Sequence, residues 1–276
     1  MDIFLHIEKL KKRIHNGFAL RYTPLRIIQL LLVRAGIPYY LKISRKATQK
    51  YFNKPPRMAL VVSLPFREDR RAGLLNCKEM QQFDWKFLDA IHGKSIEVNS
   101  IPTEIVSAQS QRSLSNGSIG AILSHYAAWN ELLSTQEDSF YVFEDDIILT
   151  SDFKKNLENI WADIPANFDI IYLGSGMSIK NDMLAKVSNN IYVPHFPRRG
   201  LYGYILSRTG IGKLIRLVFP INILFGGIDT VIGNLVRRDA LNAYHVHPDL
   251  CTTDMTFTSN IYNPSVPDKH LHQNEF

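Results

Sequence analysis

Apolar residues in this chain fall into two kinds of pattern. Short continuous runs, bounded by charged or Gly/Pro-containing stretches, read as buried strands, and longer stretches of period 3.6 read as amphipathic helices. Met58 to Leu64 (MALVVSL) is the first such run. Trp85 to Leu88, Phe140 to Phe143, Asp169 to Gly174, Ile191 to Val193, Leu201 to Leu206 and Ala243 to Pro248 are further strand candidates. Between them, Leu74, Leu75 and Met80 mark one helix and Gly117 to Leu133 a long second. Asp152 to Trp161 is a third, with Phe153, Leu157, Ile160 and Trp161 on its apolar face. Ser207 is placed to cap a fourth that buries Leu214, Ile215 and Leu217, and Val231 to Arg237 forms a fifth. Strands alternating with helices predict an α/β domain over residues 58–260.

Residues 1–57 stand apart. Ile3, Ile7, Leu10, Ile14 and Phe18 recur at helical spacing, with Lys9, Lys11, Lys12 and Arg13 mostly off that stripe. The segment holds 13 Lys/Arg against Asp2 and Glu8, a net +11, so the rest of a chain totalling +6 carries −5. A basic, amphipathic head reads as a segment that lies on an anionic membrane, where each cation is worth about 1 kcal/mol before screening. An ordinary helical extension with a solvated basic face is the other reading, and nucleic acid is not the expected partner. Pro55-Pro56 closes the head, and residues 261–276 form a polar tail with His270 and His272. Cys77 and Cys251 give no disulfide framework, which fits a reducing cytosol. No signal peptide is visible, and Ile27 to Val33 is too short to span a bilayer. The expected location is therefore the cytoplasm, peripheral on the inner face of the plasma membrane.

The chemistry gathers at Phe140-Tyr141-Val142-Phe143-Glu144-Asp145-Asp146-Ile147-Ile148-Leu149. A strand core cannot bury three adjacent carboxylates without a counter-ion, so they belong where the strand leaves the sheet, facing a crevice. Side chains alternate along a strand, so Glu144 and Asp146 point one way and Asp145 the other. Clustered oxygen ligands suit a hard cation, Mn²⁺ or Mg²⁺, which in turn suits a diphosphate. A solvated acidic turn is the competing reading of these residues alone.

Other candidates surround it. Arg70-Arg71 follow a strand and open a helix, a combination that favours phosphate. His125 lies within the apolar stripe of the long helix, either as a satisfied core residue or shaping a nucleotide pocket, and Ser124 beside it can donate locally. Gly174-Ser175-Gly176 reads as a ligand cradle or a tight turn. Pro194 to Gly200, with His195, Arg198 and Arg199, has no periodicity and reads as an acceptor-side loop. Asp229 follows the flexible Gly226-Gly227 pair at a helix start, either as a cap or as a base presented at a cleft. His245 and His247, two apart on a strand, share a face and offer a metal ligand.

Taken together, several segments resemble glycosyltransferase family 25, which includes bacterial lipooligosaccharide and collagen galactosyltransferases. They are the strand with Arg70-Arg71, the Phe87-to-Gly93 block ending in His92, Gly117 to His125 followed by Trp129, and Phe143-Glu144-Asp145-Asp146. Gly203 to Ser207, Ile228-Asp229 and Pro248-Asp249-Leu250 complete the set in the family's order. Ala121 departs from the pattern, where the family often carries Cys, as does the basic head. The resemblance implies an α/β, type A glycosyltransferase-like nucleotide-sugar-binding domain with a mixed, mainly parallel central sheet, preceded here by the basic helical extension. It further implies Glu144 and Asp146 as outer carboxylates of a DxD-like metal motif, with Asp145 reaching the ribose or holding the loop; His247 joins the metal set from its strand spacing alone. Arg70, Arg71, Asp89, Ser124 and His125 would hold a UDP-sugar donor, UDP-galactose favoured. Asp229 would be the base of an inverting transfer onto a lipid-linked oligosaccharide. A phosphoryl or nucleotidyl transferase and a non-catalytic carbohydrate-binding protein remain the alternative classes.

Overall fold

The computed structural model describes residues 54–97, 100–176, 184–194 and 200–254. The basic head expected to lie on a membrane (save residues 54–57), the loop with His195, Arg198 and Arg199 expected on the acceptor side, and the polar tail lie outside the described residues. In chain order the elements are β1 (Met58–Ser63), α1 (Glu68–Leu75), β2 (Asp84–Asp89), α2 (Ala108–Ser113), α3 (Asn116–Leu133), β3 (Ser139–Glu144), β4 (Ile147–Leu149) and α4 (Phe153–Trp161). Then come β5 (Ile170–Tyr172), β6 (Leu184–Lys186), β7 (Ile191–Pro194), β8 (Gly203–Ser207), α5 (Arg208–Val218), α6 (Ile228–Arg237), β9 (Ala243–Val246) and β10 (Cys251–Thr253).

Eight strands form one sheet in the order β2-β1-β3-β8-β5-β9-β7-β6. β1 pairs parallel with β2 and β3, and β5 parallel with β9, while β8 and β7 pair antiparallel with their neighbours. Six strands thus point one way and two against them, the mixed, mainly parallel sheet of an α/β glycosyltransferase-like fold. The period of two sorts each strand between two cores. Leu60, Val62, Phe140, Val142, Tyr204 and Leu206 face α3, α5 and α6. Ala59, Val61, Tyr141, Phe143, Ile171 and Ile205 face α1 and α4. Both faces are covered, which is why β1 and β3 read as unbroken apolar runs.

Local chemistry sets the helix ends. Ser115 and Ser207 cap α3 and α5 by accepting the N–H groups of Ser118 and Gly210. α1 stops at Leu75, short of the expected Met80. The Asn76 amide turns back to the Ala72 carbonyl at 2.9 Å, and Met80 is buried from a separate short 3₁₀ turn. Leu217 is also exposed, contrary to expectation, because the core face of α5 is set by Ile211, Leu214 and Val218.

Candidate active site

Parallel pairing brings the ends of β1, β2 and β3 to one edge, with Ser63 opposite Asp89 and Val62 opposite Glu144. At Glu144 the chain leaves the sheet. It turns through Asp145-Asp146 into β4, which pairs with β10 and not with the main sheet. Asp145 turns inward, as alternation predicts. Its Oδ2 accepts from the Ser63 hydroxyl at 2.9 Å and its Oδ1 from Arg70 Nη1 at 2.6 Å. Of the two expected uses of Asp145, holding the loop is the one this geometry displays. Arg70 Nη1 also reaches Asp146 Oδ2 at 3.2 Å, so the guanidinium neutralises the turn from beneath.

Glu144 and Asp146 line a cleft of about 140 Å³ together with Arg70, His92, Ser124 and His125. Burial, and then the Glu144 charge, push the Asp146 carboxyl above its usual range, against the pull of Arg70. Its Oδ1 is buried without a hydrogen-bond partner. A carboxylate held against its own desolvation, with one oxygen unengaged, is poised for a cation. Oxygen donors from two carboxylates fit Mg²⁺ or Mn²⁺, which are usually held by one or two carboxylates plus phosphate and water. Among the described residues, no three His, Cys, Asp or Glu side chains stand together as a metal cage.

The cleft's other wall is built by close approach. Gly93 and Gly120 press together, since a Cβ on Gly120 would lie 2.6 Å from the Ile91 carbonyl and one on Gly93 2.1 Å from that of Asn116. Ser124 seals the contact by accepting the Ile91 N–H at 2.8 Å and donating to the Gly120 carbonyl at 2.7 Å. His125 is buried, with Nδ1 2.8 Å from the Tyr204 hydroxyl and Nε2 3.4 Å from Glu144 Oε1. Arg71 engages a different carboxylate from Arg70, while its Nε donates to the Ser63 hydroxyl at 3.1 Å. It pairs with Asp89 at 2.6 Å, donates to the Ser63 carbonyl, and lies 4.7 Å above the Phe87 ring. Asp89 stays largely exposed, and neither it nor Arg71 lines the cleft.

Two more expected residues do not join this group. Asp229 lies in the first turn of α6, where Oδ1 accepts the Thr230 N–H at 2.7 Å and Oδ2 the Gly200 N–H at 3.3 Å. It is outside the cleft lining, though the segment it holds leads to Tyr202, whose carbonyl accepts the Glu144 N–H. His247 is exposed and its ring packs edge-on against Tyr192. His245 is buried inside β9 opposite Tyr192, and β9 ends at Val246, just before His247. Three strand spacings, roughly 14 Å, separate β9 from β3, so His247 does not reach the carboxylates here. Asp254 does come close, its N–H donating to the Asp146 carbonyl at 2.7 Å. Ser175 N–H donates to Asp249 Oδ2 at 3.2 Å, a turn contact in the small-residue loop.

A larger hollow, about 1250 Å³, opens at the opposite edge, where β1, β2 and β3 begin. Ligands of open α/β sheets bind outside the carboxyl ends of strands, so the smaller acidic cleft is the candidate site.

Residues 57–232 match the model of "Glycosyltransferase family 25 (LPS biosynthesis protein)". The chain belongs to this family. Among relatives, procollagen galactosyltransferase 1 of Danio rerio is 28% identical over 189 residues, covering 64% of this chain and 31% of that protein. Procollagen galactosyltransferase 2 of Homo sapiens is 28% identical over 168 residues, 56% of this chain and 26% of the relative. A protein of Bos taurus named "Probable inactive glycosyltransferase 25 family member 3" is 30% identical over 169 residues, 56% of this chain and 28% of its own length. The matches thus cover under a third of each of these relatives. A glycosyltransferase family implies a carbohydrate acceptor and a nucleotide-sugar donor. For this family 25 chain, sequence reasoning gave no site role to Ser63, Tyr204 or Trp129, although Tyr204 and Trp129 stand in the segments that carry the resemblance. Tyr204 and Trp129 look like strand and helix core, and nothing local marks their polar atoms as part of a site.

Proposed function

We propose that this chain transfers a hexose, galactose favoured, from a UDP-sugar to a lipid-linked lipooligosaccharide or lipopolysaccharide acceptor, with inversion at the anomeric carbon. The observation that carries the reading is the split within the acidic turn. Asp145 is consumed by Ser63 and Arg70, while Glu144 and Asp146 face the cleft with Asp146 Oδ1 unengaged. A divalent ion held there would offset charge on the departing diphosphate and orient it.

The chain's own residues do the rest. Arg70 keeps the turn from repelling the donor, and Arg71 with Asp89 positions it. Asp229 takes the proton of the acceptor hydroxyl as that oxygen bonds to the anomeric carbon. In the same step the carbon–oxygen bond to UDP breaks, and its electron pair leaves with the diphosphate. General-base work of this kind contributes about 10²–10⁴-fold. The basic head would hold the protein at the inner membrane face near its acceptor. The similarity to relatives named inactive keeps a second reading open, a carbohydrate-binding protein with idle carboxylates.

Incubation with UDP-galactose, UDP-glucose and UDP-N-acetylhexosamines, with and without Mn²⁺ and a lipooligosaccharide acceptor, tests the proposal through UDP release. Mn²⁺-dependent release from one donor is expected. No release from any donor, with Mn²⁺–UDP still bound, would favour the idle-site reading, and absence of nucleotide binding would sink both.

A further inference from the structure

Behind Glu144 stand three groups whose hydrogen-bond directions their chemistry fixes. Trp129 Nε1 carries a hydrogen and offers no lone pair, so across 3.2 Å to Tyr204 Oη it must donate. Tyr204 has one hydrogen. With Oη accepting from the indole, that hydrogen points to His125 Nδ1, 2.8 Å away. Nδ1 is therefore the acceptor nitrogen, and in a neutral ring the hydrogen sits on Nε2. Nε2 faces Glu144 Oε1 at 3.4 Å. Trp129 and Tyr204 are fully buried and His125 nearly so, which leaves no solvent to supply other partners. An imidazolium would make Tyr204 Oη accept twice and strand its own O–H in the core.

This one-way chain has two consequences. An N–H, not a lone pair, is turned toward Glu144 across 3.4 Å. The same hydrogen removes the Nε2 lone pair, so His125 cannot act as a metal ligand although it lines the cleft beside two carboxylates. Imidazole is the ligand that suits zinc, copper and nickel, whereas oxygen alone suits magnesium and manganese.

We propose that Trp129 and Tyr204 lock His125 as a donor to Glu144, making His125 a positioning residue and the Tyr204–Trp129 pair the determinant of cation selectivity. The proposal rests on Glu144 and Asp146 being the cation ligands. It extends that reading from which residues bind the ion to which ion they admit.

Titrating the full chain with Mn²⁺ and with Zn²⁺, each with and without UDP, tests it. Free Mn²⁺ is read by electron paramagnetic resonance, Zn²⁺ by competition, and folding by near-ultraviolet circular dichroism. Partners that orient a ligand typically change metal affinity about 10–100-fold when removed. His125→Leu should weaken Mn²⁺ by about tenfold or more. His125→Gln, whose amide sets an N–H where Nε2 stood, should recover most of that loss. Tyr204→Phe removes the donor to Nδ1 and lets the ring expose Nε2. It should weaken Mn²⁺ while strengthening Zn²⁺, shifting the ratio of the two affinities about tenfold toward zinc. A folded Tyr204→Phe protein with the wild-type ratio, beside a His125→Leu protein that binds Mn²⁺ normally, would overturn the inference alone. A wild-type protein that binds neither ion, with or without UDP, would overturn the ligand assignment and this inference with it.

Discussion

Arg70 Nη1 and Asp145 Oδ1 stand 2.6 Å apart, with both side chains more than nine-tenths buried. The pair forms the floor of the acidic turn, and the same guanidinium is the near counter-charge of Asp146. Removing one partner of a buried pair leaves the other desolvated and uncompensated, typically about 3–5 kcal/mol. Arg70→Met should therefore lower unfolding stability by about that amount in urea titration. An Arg70→Met/Asp145→Leu double variant should lose less than the single one, since no charge is left buried and alone.

Glycine substitutions should split by location. A Cβ on Gly73 in α1 or Gly212 in α5 meets nothing within 4 Å. Ala at either position should stabilise by about 0.5–1 kcal/mol through the lower backbone entropy of the unfolded chain. Gly120→Ala instead forces α3 off the Ile91 carbonyl and should cost about 1–3 kcal/mol. It should also weaken UDP binding, because the Ser124–Ile91 hydrogen bond that shapes the cleft wall moves with it. Thermal melts and UDP titration of the three variants check both halves.

Asp229→Asn should abolish sugar transfer while leaving Mn²⁺–UDP affinity nearly unchanged, since Asp229 lies outside the cation cleft. A loss of about 10²–10⁴-fold is the scale of a missing general base. Asp254→Asn serves as the comparison. If the Asp229 variant turns over normally and the Asp254 variant does not, the base is Asp254, whose backbone already touches the Asp146 carbonyl.

Alkaline pH should destabilise the fold in a tyrosine-dependent way. Burial raises the Tyr141 and Tyr204 hydroxyls well above their usual value of 10.0, and pushes Tyr244 up to about 12. Above pH 10 the unfolded chain releases these protons while the folded chain keeps them, so stability is full below 10 and falls as pH rises. Each such group contributes a slope of about 1.4 kcal/mol per pH unit. Tyr244 should stop contributing near pH 12, where the folded form ionises as well. Urea midpoints against pH, with tyrosinate absorbance as the monitor, should show the decline. Tyr204→Phe should make it shallower.

The sheet was legible in the sequence because both of its faces are covered, so its central strands are written as unbroken apolar runs. The acidic turn was legible for the opposite reason: three adjacent carboxylates mark where a buried strand must end, and the period of two already assigns Asp145 to the far side. Long-range partners left no such mark. Arg70 and Arg71 look alike in sequence, and only the seating of α1 beneath the turn buries one and leaves the other paired with Asp89. Tyr204 reads as an ordinary strand residue, since its hydroxyl finds partners 79 and 75 positions away. His247 reads as a metal ligand from its spacing to His245 alone. The strand stops at Val246, and the sheet order inserts β8 and β5 between it and the carboxylates.

The match to the family ends at residue 232, yet β9 is threaded between β5 and β7, and β10 pairs with the strand that leaves the acidic turn. A fragment cut where the match stops would retain every carboxylate and arginine of the cleft. It would also bare the backbone of β5 along an open edge, inviting strand exchange between neighbouring copies, and would free the far end of β4. Expression boundaries drawn from the motif region alone would thus separate the chemistry from its closure. The shortest piece able to complete its own hydrogen-bond ladder continues through Thr253.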